Sequence, residues 1–267
     1  MDQRSADVKR FIEYNYENKY FIEPEVREKF MLTSVLEKIN LHNPHTVLKI
    51  GIGSEKLLFE IVSLVKKLVV VEYSFTVIQN FLEKHKDDPI LKQIYIVNGD
   101  PSKLPVDYNI VDMILCIDCL DFVESARAID EMKRVLDFEK VIVIGSIVLH
   151  ADDLEGAMDE YYRTVNILHN DYYLPEDMNT MMKVKNFSLV QSTVFKYARN
   201  LAEIKKHMSE IFSENDSEKA DNIISSYHGD FEKFYNLDES MNFEENYIIC
   251  SYRKNFPSKE KQAGSLV

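Results

Sequence analysis

Gly51 and Gly53 directly follow the apolar run 46–50, Glu72 closes a second run, Asp100 lies just beyond a third, and Asp118 just beyond a fourth. Each residue type has a use at such a place. Glycine has no Cβ, so Gly51 and Gly53 would let the main chain pass close to a ligand. A carboxylate can accept charge-assisted hydrogen bonds from two neighbouring hydroxyls, as a ribose presents, and Glu72 suits that task. Asp100 could accept from the amino group of an adenine. Asp118, or the backbone beside it, could hold the far end of the same ligand. Ser54, Tyr73, Pro101 and Cys119 adjoin these four and belong to the same candidate pocket. A glycine pair can also do no more than make a tight turn, and a single acid after a strand means little. Three acids in register after successive strands point to a nucleoside cofactor, because open parallel sheets bind ligands beyond the carboxyl ends of their strands.

The elements that must position these residues alternate in type. Strand patterns run over 46–50, 68–72, 94–97, 110–117 and 140–144, the fourth nearly all apolar, as in a strand covered on both faces. Between them, Leu57, Leu58, Ile61, Val62 and Val65 form one helix face, as do Phe75, Ile78, Phe81 and Leu82, and then Ala128, Ile129, Met132, Val135 and Leu136. Strands joined by helices imply parallel pairing through right-handed crossovers. Residues 1–40 read as a helical cap segment, with Pro24 suited to a helix start. Residues 147–173 read as a tyrosine-rich helical insertion and 175–185 as a short helix. Late strands are expected over 189–195 and 243–252. The segment 199–230 reads as charged helices with a solvent-facing side, and 256–267 as a flexible tail. One core domain over 41–255 with a cap is expected, not two independent domains.

Composition excludes several classes. Hydrophobic residues at 45% and charged residues at 29% fit an ordinary globular chain. A net charge of -13 with no basic run disfavours a nucleic-acid partner. No 18-residue apolar run is present, so no membrane partner is expected. Three cysteines make no disulfide framework, which fits a cytoplasmic chain. Cys116 and Cys119 form a C-x-x-C on or just past a strand rather than at a helix start. Two buried cysteines are the simpler reading, with Cys119 open to line the pocket. His42 and His45 have no third ligand nearby, and no metal site is expected.

The glycine turn reads Gly51-Ile52-Gly53-Ser54-Glu55-Lys56. It lacks the last glycine of a dinucleotide fingerprint, and Glu55 would repel a pyrophosphate. That counts against a nicotinamide-dependent oxidoreductase, although an acid 21 residues after Gly51 would suit the ribose of either cofactor.

With these motifs the chain resembles the class I S-adenosylmethionine-dependent methyltransferases of the seven-stranded kind. Val47-Leu48-Lys49-Ile50-Gly51-Ile52-Gly53-Ser54-Glu55 is similar to their first-strand motif, Glu72 to the second-strand acid, Gly99-Asp100 and Leu104-Pro105 to the third-strand region, and Arg134-Val135-Leu136 to the end of the helix before strand five. The resemblance covers roughly residues 30–252. It implies an α/β fold: a doubly wound, seven-stranded, mostly parallel sheet with an antiparallel last strand, helices on both faces and a helical cap. It also implies S-adenosylmethionine as methyl donor. Two residues depart from the family pattern. Lys49 replaces an acid that helps hold the methionine end and orients the loop, and Glu55 replaces a glycine, where it could crowd the cofactor. A Lys49–Glu55 pair could offset the second change.

The methyl acceptor is expected to be a small molecule. No Asn/Asp-Pro-Pro-Tyr follows strand four, where Asp118-Cys119-Leu120-Asp121 stands instead, so adenine and cytosine amino groups are disfavoured. The two cap segments carry Tyr14, Tyr16, Tyr20, His150, Tyr161, Tyr162, His169, Tyr172 and Tyr173. Tyr16, His150, Tyr161 and Tyr162 are the candidates for placing a hydroxyl or a base at the acceptor. For His150 a surface or structural role, and for Tyr161 and Tyr162 a packing role, is the simpler reading. A catalytically silent binding protein of the same fold is the alternative reading.

Overall fold

A computed structural model describes residues 3–18, 25–211 and 217–257. Tyr20, Pro24 and residues 258–267 lie outside the described residues.

The chain runs α1 (Gln3–Asn18), α2 (Glu25–His42), β1 (Thr46–Ile50), α3 (Glu55–Leu64), β2 (Lys67–Glu72), α4 (Phe75–Lys84), β3 (Ile94–Asn98), β4 (Val111–Ile117), α5 (Ser125–Val135) and β5 (Leu136–Val148). It continues through α6 (Ala157–Val165), α7 (Pro175–Val184), β6 (Phe187–Asn200), α8 (Leu201–Ile211), α9 (Ser217–Ser226), α10 (His228–Tyr235) and β7 (Asn242–Lys254). The seven strands form one sheet in the order β3-β2-β1-β4-β5-β7-β6. The pairs β1·β2, β1·β4, β2·β3 and β4·β5 are parallel, and β7 is antiparallel to both neighbours. The order reverses between β1 and β4, so the crevice beyond their carboxyl ends is the place for a ligand.

Local chemistry sets the elements that matter there. β1 and β4 are almost wholly buried, as strands covered on both faces must be. α3 and α4 each start on a serine at a strand end. Ser54 Oγ accepts from Leu57 N and Ser74 Oγ from Val77 N, both at 3.3 Å. These caps satisfy amides that a helix N-terminus leaves without partners, and they aim both N-termini at the crevice. Helices α2, α3 and α4 cover one face of the sheet, while α5 and α7 cover the other.

A third apolar cluster forms the cap, and its make-up differs from the expected one. Within 147–173 only Ala157–Val165 is helical. The cap gathers α1, α6 and the helices 201–235 inserted between β6 and β7. Leu201, Ile204, Met208 and Ile211 are buried on one face of α8, so this segment is a structural part of the cap. At the other end, Phe256 stacks on Phe138 with ring centroids 5.3 Å apart, which holds the start of the expected tail. No helix among the described residues is long and apolar enough to cross a membrane.

Candidate active site

After β1 the chain turns through Gly51 at φ 75° and Gly53 at φ 52°. Side chains with a Cβ resist this left-handed backbone, so the glycines permit the turn. Glu72, at the end of β2, clamps it. Its Oε2 accepts from Ile52 N at 2.9 Å and its Oε1 from Ser74 N at 2.8 Å. The residue is 3% exposed. Burial raises its pKa against the pull of the Ser74 and Ile52 amides and the charge of Lys49. Each oxygen has two lone pairs, so the carboxylate keeps acceptor capacity for a ligand.

Lys49 occupies the underside of the same loop and is 2% exposed. Its Nζ donates to Gly51 O at 2.8 Å and to Ile52 O at 3.0 Å. Burial pushes its pKa down to about 8, opposed by the charges of Glu72 and Asp118. The position is usually acidic in the resembling family. Here the loop is held through its carbonyls by a donor.

Glu55 turns away from this loop. Its Oε1 accepts from Tyr16 at 2.6 Å, and its Oε2 accepts from Lys84 at 2.6 Å and lies 3.2 Å from His85 Nε2. Burial would raise its pKa, but these partners carry it below the ordinary value. The Lys49–Glu55 pair does not form, because each side chain is committed elsewhere.

A cavity of about 230 Å³ opens over the strand ends. Its lining includes Gly51, Gly53, Ser54, Glu72, Tyr73, Asp100, Pro101, Asp118 and Cys119, together with Lys49, but not Glu55. All nine residues expected at a cofactor are therefore brought to one space. Asp100 Oδ1 accepts from Ser102 N and Oγ, both at 2.7 Å, so this turn engages one carboxylate oxygen and leaves the other to face the cavity. Asp118 adopts φ 54° and forms an ion pair with the buried Arg27.

That left-handed residue also overturns one expectation. Alternation along a strand would point Cys116 and Cys119 to opposite faces, but β4 ends at Ile117 and the turn at Asp118 folds the chain back. Cys116 and Cys119 are joined by a disulfide. The reading of them as two separate buried thiols is corrected, and Cys119 does line the cavity.

The four acceptor-side candidates do not converge. Tyr16 is held by Glu55. The His150 ring stacks on Phe234 at 5.3 Å, and its Nδ1 accepts from Asp152 N at 3.2 Å. Tyr161 is buried and donates to Leu201 O at 2.6 Å. None of these three lines either cavity. Tyr162 lines a second, smaller cavity that shares Asp118 and Phe122 with the first.

Sequence reasoning missed the roof. Arg4, Ser5, Val8 and Ile12 of α1 line the larger cavity. Arg4 reaches the loop after α6, donating to Leu168 O at 3.2 Å and to Asn170 Oδ1. The signal was the 4–5–8–12 spacing, one face of a helix, which went unread beside the tyrosines of the same segment.

Residues 48–144 match the sequence profile of a family described as a methyltransferase domain. No curated protein sequence matches the chain. Among solved structures, a Bacillus halodurans protein provisionally described as a methyltransferase superposes with a TM-score of 0.74 at 15% identity, over 84% of this chain and 99% of that one. N-methyltransferase NodS from Bradyrhizobium japonicum, in complex with S-adenosyl-L-homocysteine, gives 0.61 at 14% identity, over 93% and 98%. Geranyl diphosphate methyltransferase, in complex with S-adenosylmethionine, gives 0.60 at 10% identity, over 90% of each chain. The sheet order, the matched segment and these similarities give the chain the fold of the class I S-adenosylmethionine-dependent methyltransferases.

Proposed function

We propose that this chain is a methyltransferase that takes S-adenosylmethionine into the larger cavity and methylates a small-molecule acceptor. The observation that carries this reading is the orientation of Glu55. The one residue expected to block the methionine end is bound to Tyr16, Lys84 and His85 and lies outside the cavity lining.

The remaining residues fit such a ligand. Glu72 keeps lone pairs for ribose hydroxyls, and Asp100 has an oxygen available for the adenine amino group. The Gly51–Gly53 turn gives close backbone approach. At the methionine end, the Lys49 ammonium suits a carboxylate and Asp118 suits an amino group, so a charge-reversed site could still hold a zwitterion. When bound, the donor supplies an electrophilic methyl carbon on a sulfonium. The protein's part is to exclude water and align the acceptor. α1 roofs the cavity through Val8 and Ile12, and Phe122 closes its inner wall.

Calorimetric titration of the folded chain with S-adenosylmethionine, and separately with S-adenosylhomocysteine, tests the proposal. One-to-one binding at or below roughly 100 µM, about -5.5 kcal/mol, is expected. Folded protein that binds neither would leave a silent member of the fold as the better reading.

A further inference from the structure

The second cavity, about 70 Å³, is lined by Phe11, Phe122, Tyr162 and Tyr172 and by the ionisable groups Arg27, Asp118, Asp121 and Arg199. Three of these four charges are matched. Asp118 pairs with Arg27, and Arg199 lies 3.8 Å from Glu245, which also accepts from the Tyr162 and Tyr197 hydroxyls. Asp121 is different. It is 5% exposed, and among the described residues its carboxyl accepts one hydrogen bond, from Ser146 Oγ at 3.2 Å, and pairs with no cation. A buried carboxylate without a cation is costly, and a ligand that brings one removes that cost. Aromatic walls favour the same kind of ligand, since ring faces attract cations.

We propose that this cavity is the acceptor subsite and takes a small aliphatic amine, held as its ammonium by Asp121, which then receives the amine's proton. The inference rests on the donor reading above for the direction of transfer, since Asp118 and Phe122 wall both cavities. The proton leaves nitrogen for the Asp121 carboxylate, the nitrogen lone pair enters the new N–C bond, and the electrons of the donor's C–S bond stay on sulfur. Burial, and then the charge of Asp118, push the pKa of Asp121 up to about 8, with Ser146 and Arg27 acting the other way and Glu245 adding to the rise. That places it where a base can act near neutral pH. The Tyr162, Tyr172 and Tyr173 phenols, all with raised pKa values, stay neutral in that range and leave Asp121 as the titrating group.

The test is calorimetry of the full chain with ethanolamine at pH 7, in two buffers of different ionisation enthalpy, with and without S-adenosylhomocysteine. Ethylene glycol serves as the neutral control. Ethanolamine should bind with release of close to one proton, because a contacting cation drives Asp121 to ionise. Ethylene glycol should not bind. Asp121→Asn should weaken ethanolamine at least tenfold and abolish proton release, with S-adenosylhomocysteine affinity held within threefold. Ser146→Ala, a milder change, should keep proton release but move the pH midpoint of amine binding upward. The proposal is overturned if wild-type protein binds S-adenosylhomocysteine but not ethanolamine, if binding releases no proton, or if a folded Asp121→Asn chain binds ethanolamine equally well. Should Asp121→Asn not fold, the wild-type proton count and Ser146→Ala decide. Ethanolamine binding without S-adenosylhomocysteine binding would remove the donor reading and keep the amine site. Failure of both ligands would remove both.

Discussion

The carboxylate of Glu72 and the amide of Ile52, 20 residues apart in the chain, meet at 2.9 Å. The contact fixes the end of β2 to the glycine turn after β1, so one side chain both shapes the pocket and faces it. Glu72→Ala should therefore do two things. It should cost about 1–3 kcal/mol of stability by leaving buried amides unsatisfied, and it should weaken S-adenosylhomocysteine binding tenfold or more. Asp100→Ala, at an exposed turn, should weaken binding with little change in stability. Denaturant unfolding and calorimetry separate the two effects. Unchanged affinity in both folded variants would remove these residues from the ligand site.

Lys49 makes the turn sensitive to pH. Its folded pKa of about 8 lies below the ordinary 10.5. Between those values the unfolded chain binds more protons than the folded one, so this group's contribution makes stability rise as pH rises through that window. Lys49→Met should remove that rise and cost about 1–3 kcal/mol at pH 7 by stripping Gly51 O and Ile52 O of a donor. Gly53→Ala should cost about 1–2 kcal/mol for its left-handed backbone. Its Cβ would also stand 3.2 Å from Lys49 Nζ. Unfolding midpoints between pH 7 and 10 check both variants.

Tyr161 is a fixture of the cap. Tyr161→Phe should lose about 0.5–1.5 kcal/mol, the net worth of its buried hydrogen bond to Leu201 O, while ligand affinity stays unchanged. Leu201→Ala should cost about 2–5 kcal/mol as a core truncation. A Tyr161→Phe chain of wild-type stability that no longer bound ligand would reverse this assignment.

The Cys116–Cys119 bridge gives a chemical footprint of the site. After reduction, Cys119 should react first with iodoacetamide, because it lines the cavity while Cys116 is fully buried. Bound S-adenosylhomocysteine should slow that reaction. Peptide mass spectrometry reads both thiols, and equal labelling with and without ligand would place the ligand elsewhere.

The sheet was legible because its signals are local. Continuous apolar strands, helices with one apolar face and an acid at each strand end can be read without knowing what lies across the crevice. The residues expected at a cofactor line one cavity for the same reason. The second cavity was not legible, because most of its charges are matched over long separations. Arg27 with Asp118, and Glu245 with Tyr162 and Tyr197, join residues that no short window contains. Asp121 was visible in the strand-four sequence, but only the pairing of its neighbours singles it out. The stripe Leu201, Ile204, Met208 and Ile211 is the buried side of a segment read as charged helices with a solvent-facing side, but its place in the cap is set by partners distant in the chain.

The roof of the larger cavity has a consequence for the order of assembly. α1 is joined to α8 by contacts such as Tyr14 to Glu210, which span 196 residues. Contacts so distant close the largest loops and depend on the sheet that brings their ends together. The N-terminal helix is therefore expected to dock last on a nearly finished domain. The same order run backwards makes it the first piece to detach, so the roof of the cavity is also the expected weakest seam of the fold.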